Sequence, residues 1–93
     1  SLAEILEERK GGEVVVGGVV GGWRRLTTRA GKSMATFTLE DLSGTIEVLV
    51  FPNLYEKITA EADNDRVVLV KGRLDEDEES QKLLASQVRW LSP

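Results

Sequence analysis

Between Trp23 and Met34 the chain places four cations, Arg24, Arg25, Arg29 and Lys32, and no acid. Guanidinium and ammonium groups gathered in this way suit phosphate, and Arg can also lie flat on a base. Trp23 stands at the head of the group. Its indole face is either a platform for an unpaired base, at about 1–3 kcal/mol per base, or a cover for the end of a core. The opposite charge concentrates at Asp75-Glu76-Asp77-Glu78-Glu79. Clustered carboxylates hold hard cations, but this run lacks the ligand spacing and the glycine of a calcium-binding loop. It reads as a solvated loop that discourages non-specific phosphate binding or meets a basic partner. Glu40 and Asp41 are adjacent carboxylates, yet they abut Leu42-Ser43-Gly44 and read as turn-forming rather than as an acid/base pair.

Several chemistries are excluded by composition. There is no cysteine and no histidine, so disulfides, thiolate nucleophiles, zinc knuckles and His-based hydrolytic centres all fall away. The pairs Gly17-Gly18 and Gly21-Gly22 lie inside a strand-like run, which is not the strand-to-helix setting of a dinucleotide fingerprint. No constellation for catalysis assembles, and neither a metal nor a cofactor is implied. The net charge of −4 runs mildly against a nucleic-acid partner, but the distribution outweighs the sum because the charge is segregated along the chain.

A chain of 93 residues makes one domain, and 41% apolar with 30% charged residues is a soluble, globular balance. No apolar run approaches the roughly 18 residues of a membrane span. The opening SLAEILEERK lacks the basic and apolar regions of a signal peptide, and the expected compartment is the cytoplasm.

The elements that must position the cations follow from periodicity. Residues 1–12 read as a short amphipathic helix or a linker, with Leu2, Ile5 and Leu6 at helical spacing. Glu13 to Leu26 is valine-rich and carries both glycine pairs. It reads as one long strand bent at the glycines, or as two short strands joined by a turn at either pair. Thr27 to Ser33 is a polar loop.

Met34 to Asp41 alternates, with Ala35, Phe37 and Leu39 on one face and Met34, Thr36, Thr38 and Glu40 on the other. After the turn Asp41–Gly44 the alternation resumes, with Ile46, Val48 and Val50 inward and Thr45, Glu47 and Leu49 outward. These two strands predict a hairpin. Pro52 stops the strand, Asn53 with Glu56 fits a capping-box start, and Leu54, Ile58 and Ala62 predict a helix of three turns with Tyr55 on its stripe. Arg66 to Leu74 and Lys82 to Leu91 complete five strands. Three strands, a helix and two strands, with a long first strand, predict an all-β, five-stranded Greek-key barrel of the OB type over residues 13–93, closed to avoid bare sheet edges.

The hairpin carries a further signal. Gly31-Lys32-Ser33-Met34-Ala35, then Thr38-Leu39-Glu40-Asp41-Leu42-Ser43-Gly44, then Ile46 to Pro52, resembles the OB domain of the bacterial DNA polymerase III alpha subunit. The resemblance continues through Leu54-Tyr55-Glu56-Lys57, Val68 to Arg73 and Ala85-Ser86-Gln87-Val88. The wider family includes anticodon-binding domains of class II aminoacyl-tRNA synthetases. The resemblance implies a non-catalytic handler of single-stranded template, with single-stranded DNA as ligand, RNA as a second possibility, and other replication proteins or parent polymerase domains as partners. The sequence departs from the family at Thr36, where an aromatic is common, and in its acidic loop.

OB barrels bind across their second and third strands, flanked by the loops after the first and fourth. The candidate contacts are therefore Trp23, Arg24, Arg25, Arg29 and Lys32, with Met34, Thr36 and Thr38 on the outward face. Lys71 and Arg73 either extend the positive track or pair with the acidic loop. Phe37 reads as core, Tyr55 and Trp90 as packing residues, and Phe51 as core or as the rim of the groove. Low net basicity also leaves room for a domain that contacts protein instead.

Overall fold

The computed structural model describes residues 1–3, 12–76 and 80–91. The expected N-terminal helix or linker falls largely on residues 4–11, and most of the acidic loop on 77–79, outside the described residues. Five strands, β1 (Glu13–Thr27), β2 (Ser33–Asp41), β3 (Gly44–Val50), β4 (Val67–Glu76) and β5 (Gln81–Trp90), close in the order β1-β2-β3-β5-β4. Every neighbouring pair is antiparallel except β3 with β5, which close the barrel in parallel.

One continuous β1 makes this closure possible. Its first half pairs with β4 and its second half with β2, and Val19 sits at the crossover, opposite both Val67 and Glu40. Each glycine pair has a structural use. Gly22 takes φ +59 in a bulge where the register slips between Gly21 and Arg24, a conformation that a side chain disfavours. At Gly18 a Cβ would stand 2.6 Å from the Glu40 carbonyl oxygen, so β1 and β2 approach closely only because no side chain intervenes.

The inward face of the hairpin is buried as the alternation predicts, with Ala35, Leu39, Val48 and Val50 wholly buried and Phe37 and Ile46 nearly so, while on the outward face Thr36 is buried as well. Val14, Val16, Val20, Val68, Val70, Leu74 and Leu83 add to the interior. At about 1.5–3 kcal/mol per buried aliphatic side chain, a one-residue slip of either strand would forfeit several such contributions, and this fixes the register.

Helix α1 (Pro52–Ile58) and a 3-10 turn (Thr59–Glu61) connect β3 to β4. The helix starts earlier than the capping-box pattern suggests. Phe51 is the N-cap, Pro52 occupies the first turn, and no side chain caps the helix. Proline brings no N–H there to be satisfied, so the polar cap at Asn53 is not used. Ile58 is buried and Leu54 partly so.

The far end of the barrel is closed differently. Asp41 accepts from the Ser43 hydroxyl (2.6 Å) and the Ser43 and Gly44 amides (2.7 and 3.1 Å), and from the amide of Leu2 (2.8 Å). Four donors favour the charged carboxylate, chief among them the Ser43 hydroxyl, and hold its pKa at about 2. Leu2, tethered in this way, is buried in the core.

Candidate nucleic-acid interface

The cations sit where β1 runs into β2. Thr28 to Lys32 form the connecting loop, closed by the Thr28 amide donating to the Lys32 carbonyl (2.8 Å) and the Gly31 amide to the Thr28 carbonyl (2.9 Å). The Thr28 hydroxyl accepts from the Lys32 amide (3.1 Å). The loop backbone is thus pinned while Arg29 and Lys32 project into solvent. Among the described residues, neither these two nor Arg24 engages its charged group in an ion pair.

Cross-strand register defines the outer wall beside this loop. Arg24 lies opposite Thr36, Thr36 opposite Leu49, Leu49 opposite Leu84 and Leu84 opposite Arg73. Residues paired in this way share a face, so a single row runs Arg24–Thr36–Leu49–Leu84–Arg73. Four strand spacings make it about 19 Å along the curved wall. Arg24 and Arg73 are exposed, with buried Thr36 and partly buried Leu49 and Leu84 between them, and beyond Arg73 the register continues to the exposed Glu13.

The row on the loop side is Leu26–Met34. On the other side runs Gly21–Thr38–Glu47–Lys82, where Lys82 pairs with Glu47 at 3.9 Å. Among the described residues, positive charge is thus without an ion pair at the Arg24 end of one lane, meets Glu13 beyond Arg73 at its other end, and is neutralised along the next.

The structure sorts the candidate residues. Arg24, Met34, Thr36 and Thr38 share the outer wall, and Arg29 and Lys32 flank it. Arg25 pairs with Ala35 and so faces the barrel mouth, where its Nη1 donates to the Ser33 hydroxyl (3.2 Å). Thr36 is only 7% exposed, closed in by its row, which leaves little of it for a ligand. Arg73 lies in the row, opposite Glu13 on β1, whereas Lys71 belongs to the reverse wall, between Val15 and Gln87, and pairs with Glu13 at 3.5 Å.

Trp23 turns inward. Its ring stacks on Phe37 (5.6 Å) and Tyr55 (6.4 Å) and tilts against Trp90 (6.2 Å), and its amide donates to Asn64 Oδ1 (3.0 Å). Arg66 lies 5.5 Å from the centre of the Trp90 ring and donates to the carbonyls of Glu61 and Leu91. This cluster seals the helix end of the barrel and takes up four of the chain's five aromatic rings.

The fifth ring is Phe51, 45% exposed. Sequence left it open between core and rim. The signal that decides is the parity of β3: Leu49 faces out, Val50 in, and the next extended residue out again.

Comparison with known proteins fits this architecture. The family model for the OB-fold nucleic acid binding domain matches residues 7–91. The chain belongs to that family. Over 82 residues, 88% of its length, it is 44% identical to the DNA polymerase III subunit alpha of Aquifex aeolicus. Over 91% of its length it is 37% identical to that of Saccharopolyspora erythraea. The chain spans about 7% of the length of each of these relatives. Among solved structures, a mitochondrial single-stranded DNA binding protein of S. cerevisiae superposes with a TM-score of 0.68. The match covers 89% of this chain and 97% of that one at 11% identity, a likeness of fold. Among the described residues no group of acidic side chains is placed to hold a metal ion, and no helix is long and apolar enough to cross a membrane.

Proposed function

We propose that this barrel binds single-stranded nucleic acid, DNA in the first instance, as a non-catalytic module of a bacterial replicative DNA polymerase alpha subunit acting in the cytoplasm. The observation that carries the reading is the cluster of exposed cations Arg24, Arg29 and Lys32, without an ion pair among the described residues, beside a largely apolar row that leads to Arg73. Phosphates contact the cations, and bases rest on Met34, Leu49 and Leu84 with Thr38 at their edge. Trp23 supports the wall from within rather than touching the ligand. The identity to alpha subunits supports DNA over RNA, and residues 13–93 are the binding unit.

Affinity in such a site comes mainly from counterion release, with little sequence preference. Anisotropy of labelled oligo-dT over a series of salt concentrations, with oligo-U and duplex competitors, tests the reading. Saturable binding that weakens steeply with salt supports it, and no binding even at low salt refutes it.

A second reading, a module that contacts protein, draws on the reverse wall. There Val15, Val19, Val67 and Leu69 are exposed, as is Leu42 in the neighbouring turn. Binding to no oligonucleotide would favour it.

A further inference from the structure

We infer that Phe51 seats one unpaired nucleobase and is the residue that makes this site choose single strands over duplex; the inference rests on the nucleic-acid reading above. Phe51 has φ −74 and ψ 166, so the extended geometry of β3 continues through it. Alternation then returns its side chain to the outer wall with Leu49. Because Val50 pairs with Ala35 and Met34 pairs with Leu26, Phe51 falls next to Met34 and completes a shelf, Leu26–Met34–Phe51, alongside Arg24.

The position is held firmly. Pro52 follows, and the Phe51 carbonyl accepts the Tyr55 amide at 2.8 Å, so the helix start fixes the backbone beneath the ring. Trp23, Phe37, Tyr55 and Trp90 are committed to the sealing cluster. Of the chain's aromatic rings, only that of Phe51 offers a face on the proposed binding wall.

Phosphate contacts cannot supply strand selectivity by themselves. Duplex DNA carries the denser charge and answers to the same cations. A ring face is different, because it can stack only on a base whose own face is free. The loop cations therefore set affinity for either form, and Phe51 adds a contribution that only an unpaired base collects. Met34 and Leu26 widen the apolar shelf but have no π-face.

The test compares the affinity of the purified chain for short oligo-dT with that for a duplex of equal length, at one low salt concentration. Phe51→Ala should weaken oligo-dT by about tenfold and leave duplex affinity unchanged, so that the preference falls by the same factor. Phe51→Tyr should retain the preference, and Phe51→Leu should not, which separates a ring face from mere apolar bulk. Circular dichroism and melting temperature confirm that each variant is folded.

Equal weakening of both ligands by Phe51→Ala, an unchanged ratio, or wild-type behaviour of Phe51→Leu would overturn the inference while leaving cationic binding intact. Failure of the wild type to bind either ligand would instead overturn the functional reading itself, and this inference with it.

Discussion

The two outer walls of this barrel share strand β1 and differ in almost everything else. Where β1 pairs with β4 it presents Val15 and Val19 outward, facing Lys71 and Val67, with Leu69 beside them. Where it pairs with β2 it presents Arg24 and Leu26, facing Thr36 and Met34. On the first wall the cation Lys71 is paired with Glu13, whereas on the second Arg24 has no ion pair among the described residues. The change falls at the Gly22 bulge, which adds a residue to β1 and turns Trp23 into the end cluster. One strand thus serves two surfaces. Charge that is available, rather than charge that is merely present, separates the proposed binding wall from the apolar one.

That contrast can be broken in several places. The largest effect is expected from replacing Arg24, Arg25, Arg29 and Lys32 together by Ala. At 0.1 M salt oligo-dT affinity should drop by about 100-fold, and the log–log salt slope should flatten by about 3 if all four touch phosphate. Salt-dependent anisotropy reads both. Replacing Lys71 by Ala on the other wall should leave the slope where it was.

Trp23→Ala should act on stability rather than on contact. Removing the ring that Phe37, Tyr55 and Trp90 pack against should cost about 3 kcal/mol by urea denaturation, with oligo-dT binding retained well below the melting temperature. Loss of binding by a still-folded Trp23→Ala protein would mean that the ring meets the ligand after all.

Gly18→Ala probes the crossover that creates both walls. The added methyl would press on the Glu40 carbonyl and should destabilise by about 1–3 kcal/mol, measured in the same way.

A smaller effect is expected at Asp41. Its pKa is lowered on folding to about 2, so its contribution is fully present above the unfolded carboxylate value near 4. That contribution is lost as pH falls through the folded value. The difference in melting temperature between wild type and Asp41→Asn should therefore shrink between pH 5 and about pH 2. The smallest change belongs to Leu69→Ser on the reverse wall. Its stability should stay within about 0.5 kcal/mol of wild type, and its oligonucleotide affinity should not move.

Much of this architecture was legible in the chain. The hairpin of β2 and β3 was readable because its alternation is strict and both faces are chemically distinct. The bend of β1 was readable because paired glycines in a valine run need a reason. The fate of Trp23 was not, since Phe37, Tyr55 and Trp90 reach it from elements far apart in sequence. Nor was the separation of Lys71 from Arg73. Both project outward from β4, but only the barrel's closure and the β5 irregularity between Gln87 and Ala85 show which wall each one joins. The helix start was misread because an Asn–Glu pattern suggested a polar cap where proline had made one unnecessary. Phe51 is ambiguous in the sequence because its direction depends on β3 staying extended for one residue past its last ladder pair.

The most direct test of the proposed interface is to titrate the isotopically labelled chain with oligo-dT and follow its backbone amides by NMR. Shifts concentrated at Arg24–Thr36 and Glu47–Phe51, and fading as salt is raised, are the predicted result. Shifts centred instead on Val15–Val19 and Val67–Lys71 would contradict the account, because the apolar wall would then be the one that binds.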